Sequence, residues 1–194
     1  MNSKSKFFTG LVAAAAIGIA GAASASGEPN APGAHVHGAG ALNVVVEGND
    51  VIMELTLPGA DVVGFEHKAE SDKDAQAVHE ALEKLENAAN VFVLPAAAGC
   101  AVVEAHAESS LVEETEAHGH ANENRHEAEH EAGHGDFGAI YEFTCATPDA
   151  LKDIEVKLFV LFPSLEEVDV QAVTAKGQWA KELTPSDNRF LLAF

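Results

Sequence analysis

The stretch Leu42-Asn43-Val44-Val45-Val46-Glu47-Gly48-Asn49-Asp50-Val51-Ile52-Met53-Glu54-Leu55-Thr56-Leu57 decides the fold class. Leu42, Val44 and Val46 alternate with Asn43 and Glu47 up to a break at Gly48-Asn49, and Val51, Met53, Leu55 and Leu57 then alternate with Ile52, Glu54 and Thr56. Successive side chains on an extended chain point to opposite faces, so a period of two in both halves describes two strands sharing one apolar face. Gly48-Asn49 is tight-turn chemistry, and Pro58-Gly59 ends the second half. The reading is a β-hairpin whose apolar face needs a cover.

Residues 71–89 supply that cover. Ala75, Val78, Leu82, Leu85 and Ala89 form one stripe at helical spacing, and Ser71 with Asp74 three residues on resembles a capping box. His79 falls on the exposed flank of this helix beside Glu83. Further strands are expected at 100–107, 137–147, 154–162, 169–175 and 178–183, the last two joined at Lys176-Gly177. Within 154–162, Ile154, Val156, Leu158, Val160 and Phe162 alternate strictly. Trp179 reads as core, and the apolar tail 190–194 as a segment pairing on the sheet. The sum is α+β: a mostly antiparallel β-sheet or sandwich with one main amphipathic helix.

The stretch 104–136 breaks the pattern. It holds His106, His118, His120, His126, His130 and His134 among many carboxylates, with Arg125 its single basic residue and no large apolar residue after Val112 until it ends. Such a composition buries too little surface to fold alone, so 108–135 reads as a disordered His/Glu-rich insert hung between two strands.

The start of the chain carries an address. Lys4 and Lys6 precede an apolar run over residues 7–20, and Ala23-Ser24-Ala25 offers a small-x-small cleavage site. That is the pattern of a Sec-type signal peptide over 1–25, too short for a transmembrane anchor. Residues 26–41 then form a flexible leader containing His35-Val36-His37, and 42–194 one domain. Cleavage would remove Lys4 and Lys6 and take the formal charge from −20 to −22. So acidic a protein repels nucleic acid and anionic membranes and attracts cations. Cys100 and Cys145 are the only cysteines. An even count in an exported chain points to one disulfide, and antiparallel pairing of 100–107 with 137–147 would bring the two together. A thiolate metal site is the competing reading.

Imidazole and carboxylate in this density suit zinc, which takes nitrogen and oxygen donors in four-coordinate geometry. Imidazole is neutral above about pH 6.5 and so ready to bind at neutral pH. His118 and His120 share one side of an extended segment, whereas His126, His130 and His134 would share one helix face, with Glu127, Glu129 and Glu131 between them to orient rings or add oxygens. His126-Glu127-Ala128-Glu129-His130 also matches the H-E-x-x-H pattern of zinc proteases. In a tract built from His, Glu, Ala and Gly that match arises by chance, and the flanks offer no apolar residues for a cleft. A second cluster flanks the hairpin: His35 and His37 before it, Glu66 and His67 after it. Both lie at the open end of the two strands, so His35, His37 and His67 could converge, with Glu66 as a further donor or orienting group.

The residues His35-Val36-His37-Gly38, Leu57-Pro58-Gly59-Ala60, Gly64-Phe65-Glu66-His67, Leu94-Pro95-Ala96-Ala97-Ala98-Gly99-Cys100, Leu161-Phe162-Pro163 and Lys176-Gly177-Gln178, together with the His-rich insert, resemble the ZrgA-like periplasmic zinc-binding proteins of Gram-negative bacteria. The resemblance implies a periplasmic, non-enzymatic role in zinc homeostasis alongside a zinc-import system. It supports His35, His37 and His67 as ligands and the insert histidines as a second, adaptable site. Sequestration of copper or nickel is the rival within binding proteins, because imidazole accepts all three ions. A zinc metalloprotease and a structural or adhesive surface protein are the rivals from other classes.

Overall fold

A computed structural model describes residues 36–112 and 135–192. The quoted stretch is the hairpin of β1 (Ala39–Glu47) and β2 (Asp50–Pro58), paired from Glu47 opposite Asp50 to Ala41 opposite Thr56. A helical turn α1 (Gly59–Val62), the long helix α2 (Asp72–Glu86), a second turn α3 (Ala88–Val91) and the short strand β3 (Phe92–Val93) follow. Next come β4 (Cys100–Ser109), β5 (Asp136–Cys145), β6 (Ile154–Val156), the turn α4 (Leu158–Leu161), β7 (Glu167–Thr174), β8 (Gly177–Leu183) and β9 (Arg189–Phe190). The large sheet has the order β4-β5-β2-β1-β7-β8, and β3-β6-β9 form a small second sheet. Every pair is antiparallel except β1 with β7, which run parallel because the chain crosses the molecule between them. The class is α+β, a sandwich-like sheet with one long helix, as the periodicity implies.

The core lies on one side of the large sheet. Leu42, Val44, Met53, Leu55 and Tyr141 face inward and are buried, and α2 brings Val78, Ala81 and Leu85 to the same core from the β4–β5 side. The Tyr141 hydroxyl donates to Leu85 O at 2.8 Å, and the Phe92 ring meets the Tyr141 ring edge-on, tying helix, sheet and second layer together. Burial pushes the Tyr141 phenol well above its ordinary pKa, so it stays a donor at all physiological pH. The Ser71 hydroxyl accepts from Asp74 N at 3.2 Å, the cap read from the sequence. The helix stops before 89, because Asn87 leaves helical geometry and its side chain caps the next turn at Ala89 N.

Three expectations are corrected. Residues 154–162 are not one strand: β6 ends at Val156, and Phe162 N–H donates to Leu158 O at 2.8 Å to close α4. Leu158, Phe159 and Phe162 are buried while Val160 is 78% exposed, a helical pattern imposed by packing. The Lys157 N–H and Nζ anchor this corner on Val91 O and Ala89 O. Of the tail, Arg189–Phe190 pairs with β6 in the small sheet and not with the large one. Finally, the strand expected over 100–107 runs on to Ser109, and residues 110–112 and 135 are also described, so the part of the 108–135 insert that lies outside the described residues is 113–134.

Cys100 pairs with Cys145 at one end of the β4–β5 ladder, and the two are joined by a disulfide, which removes the thiolate-ligand alternative. Residues 113–134 leave from the opposite end, beyond Ser109 opposite Phe137, roughly 30 Å away at strand rise. The disulfide therefore closes the ladder and does not tether the insert. Replacing both cysteines with serine opens a 45-residue loop. In the chain-entropy model this should lower unfolding free energy by about 4 kcal/mol, measured by denaturant titration.

Candidate metal centre

The hairpin brings residues 37 and 66 to the same end of the sheet because β1 begins where β2 ends. Gly38 is the pivot. Its N–H donates to Asp61 Oδ2 at 2.7 Å, and its carbonyl accepts from Glu166 N and Glu167 N, both at 2.8 Å. Asp61 is buried in the first turn of α1, so its carboxylate is a fixed acceptor. With Gly38 held from three sides, His37 projects over the following loop, and its Nε2 lies 3.0 Å from Glu66 Oε1. The imidazole side chain is 67% exposed and the carboxylate 38%, so the pair is open to solvent and its attraction is screened.

His67 follows Glu66 in the chain. Its ring stacks on Phe65, centroids 5.0 Å apart at an interplanar angle of 21°. Its Nδ1 lies 2.8 Å from Lys68 O. A carbonyl only accepts, so Nδ1 carries a proton, and in the neutral ring Nε2 keeps its lone pair. That is the tautomer in which a histidine ligates a metal while a backbone carbonyl orients the ring.

Both feet of the insert meet this loop, a contact that sequence reasoning missed. Ala69 N–H donates to Leu111 O and Gly59 N–H to Gly135 O, each at 2.8 Å. Gly135 N–H donates to Ser110 Oγ at 3.0 Å, and the Ser109 hydroxyl donates to Asp136 O at 2.9 Å, closing the base of the excursion. Gly135 has φ +104°, and a Cβ there would stand 2.9 Å from both Cβ and O of Glu66. Only glycine lets the returning chain lie directly on the residue that faces His37. Gly135 between His134 and Asp136 was the available signal, but nothing local in it names Glu66 as the neighbour.

His37 is thus brought to Glu66, and His67 follows Glu66 in the same loop. His106 is not: it is exposed on the outward face of β4, opposite Ile140. His35, His118, His120, His126, His130 and His134 lie outside the described residues, as does the H-E-x-x-H match at His126 and Glu127. Among the described residues, no three His, Cys, Asp or Glu side chains already close around a metal position. The loop offers the pair His37–Glu66 and, at the next residue, the second imidazole of His67.

A family model for the ZrgA family of zinc uptake proteins matches residues 34–192. The chain belongs to the ZrgA family. The match takes in the His-x-His of the leader, the Glu66 loop, the insert and both sheets. It ties the protein to zinc, and the family is described by uptake of that metal and not by a reaction. No curated protein matches the chain. Among the described residues no helix is long and apolar enough to cross a membrane.

The close approach of Gly135 to Glu66 is testable. Gly135→Ala should destabilise the fold by about 1–3 kcal/mol through strain and contact together. Gly64→Ala, also at positive φ but in open space, should cost less. Equal losses in denaturant titration would mean that contact with Glu66 contributes nothing.

Proposed function

We propose that the protein captures zinc in the periplasm, without catalysing a reaction, and holds it for a zinc-import system. In this reading His37, Glu66 and His67, joined by His35, form a scaffold site. The insert histidines His118, His120, His126, His130 and His134 add further ligands. The supporting observation is the shared footing: the loop bearing Glu66 and His67 is hydrogen-bonded through Ala69 to Leu111, and Gly135, bonded to Gly59 N–H, lies against Glu66. Ions gathered by the insert would therefore be gathered next to His37.

The chemistry is that of borderline donors. A neutral imidazole Nε2 from His67, a carboxylate from Glu66 and the His37 ring leave coordination positions open, which suits an ion that must be released. In the acidic mature chain, formal charge −22 once residues 1–25 and their Lys4 and Lys6 are removed from the −20 of the whole, the surrounding field raises local cation concentration. Asp61 acts through the backbone: by fixing Gly38 it aims His37. His106, on the sheet face, is not needed for this site.

Native mass spectrometry with zinc tests the reading on the mature chain, on a variant lacking 113–134 and on His37→Ala/His67→Ala. Deleting the insert should remove most ions, and the double substitution in the deletion background should remove the last one. An unchanged ion count after either step refutes the corresponding half. Glu66→Gln should weaken that last ion at least about tenfold, the usual scale for losing an orienting or ligating carboxylate. Because protons compete for imidazole, calorimetry should show strong zinc binding near about pH 7.5 and weak binding near about pH 5.

A further inference from the structure

The outward face of the large sheet carries a pattern that zinc capture does not use. Ile52, Val45 and Val173 stand in register on β2, β1 and β7 and form one apolar row across the middle of that face. They are 37%, 42% and 41% exposed, while α2 and the small sheet pack on the opposite side. Around this row, three cross-strand pairs place like charges directly opposite one another. Glu47 faces Asp50, Glu142 faces Glu104, and Asp169 faces Glu182. No Lys or Arg stands at an outward position of the six strands.

Opposed side chains in a ladder stand about 5 Å apart at Cβ, and like charges there destabilise the pairing. Lys or Arg at one member of each pair would have relieved it. Conflicts of this kind between local pairing and the fold gather where a surface serves something outside the chain. We propose that this face docks a folded protein partner that presents lysine and arginine around an apolar contact.

The chemistry selects among occupants. A second copy of the same face would oppose carboxylate to carboxylate, and nucleic acid or an anionic membrane is repelled in the same way. A hydrated cation would relieve the acidic pairs but has no use for the valine-isoleucine row. An apolar centre inside a charged rim is the anatomy of a protein interface, in which the rim governs encounter rate and salt sensitivity. Asp169 and Glu182 lie toward the end where β7 begins beside Gly38, so a partner seated here would lie near the His37 loop without covering the α2 side.

The test uses the full exported chain in cells of its native host, with photoreactive benzoylphenylalanine at Ile52 or Val173 and, as control, at Val160 on the other side of the molecule. A discrete heavier adduct is expected at 52 and 173 and not at 160. Its yield should fall at least about tenfold when Glu47→Gln, Glu142→Gln and Asp169→Asn are combined. The captured protein, identified by mass, should carry a basic docking face. The purified triple variant should melt at the same or a higher temperature, since it relieves repulsion, and should bind as many zinc ions as the parent. An adduct of twice the chain mass, an adduct indifferent to neutralisation, no adduct, or a lowered melting temperature would each overturn the proposal. So would loss of bound zinc or calcium from the triple variant in native mass spectrometry, which would assign the face to cations.

Discussion

Pairing between β2 and β5 joins the two halves of the molecule. It runs without a break from Asp50 opposite Thr144 to Pro58 opposite Asp136. Because side chains alternate, a slip of one residue would turn Met53, Leu55 and Tyr141 out to solvent, so burial of that face holds the register. The same register sets the distance between the hairpin's end and the point where the chain returns from the insert. Gly135, one residue before the ladder begins, lands against Gly59 and Glu66 as a direct consequence.

From that constraint the two ends of the β4–β5 ladder acquire different tasks. At one end Cys100 and Cys145 lock the strands covalently. At the other Ser109, Ser110 and Gly135 close the base of the excursion with hydrogen bonds, and the loop bearing Glu66 and His67 rests on it. A rigid strand pair separates the lock from the loop bearing His67, so the thiols are spent on stability, and the proposed metal ligands are nitrogen and oxygen. Membership of a zinc uptake family agrees with that division of donors. The outward face adds an acidic rim around an apolar row, so the inner and outer surfaces of one sheet serve different ends.

Much of the candidate site was legible because its residue types are rare and tightly grouped. His35-Val36-His37 and Glu66-His67 announce themselves, and a hairpin between them implies a common end. What remained illegible was set by long-range packing. Asp61 looks like any first-turn acid until Gly38 N–H is found on it. His106 reads as part of a His-rich tract, yet β4 carries it onto the sheet face. Strict alternation over 154–162 suggests one strand, but contacts with α3 fold its second half into a turn.

The sequence by itself determined the hairpin, the capped helix, the partnership of Cys100 with Cys145 and the kind of atom available to a metal. Each of these follows from local periodicity, turn chemistry or donor type, which neighbouring residues settle among themselves. Tertiary structure alone decided that Gly135 lies on Glu66, that the insert is footed beside His37, and that Glu104 opposes Glu142 and Asp169 opposes Glu182 across their strand pairs. Those facts depend on strand order and register, which are fixed by burying one shared apolar face and so by every strand at once.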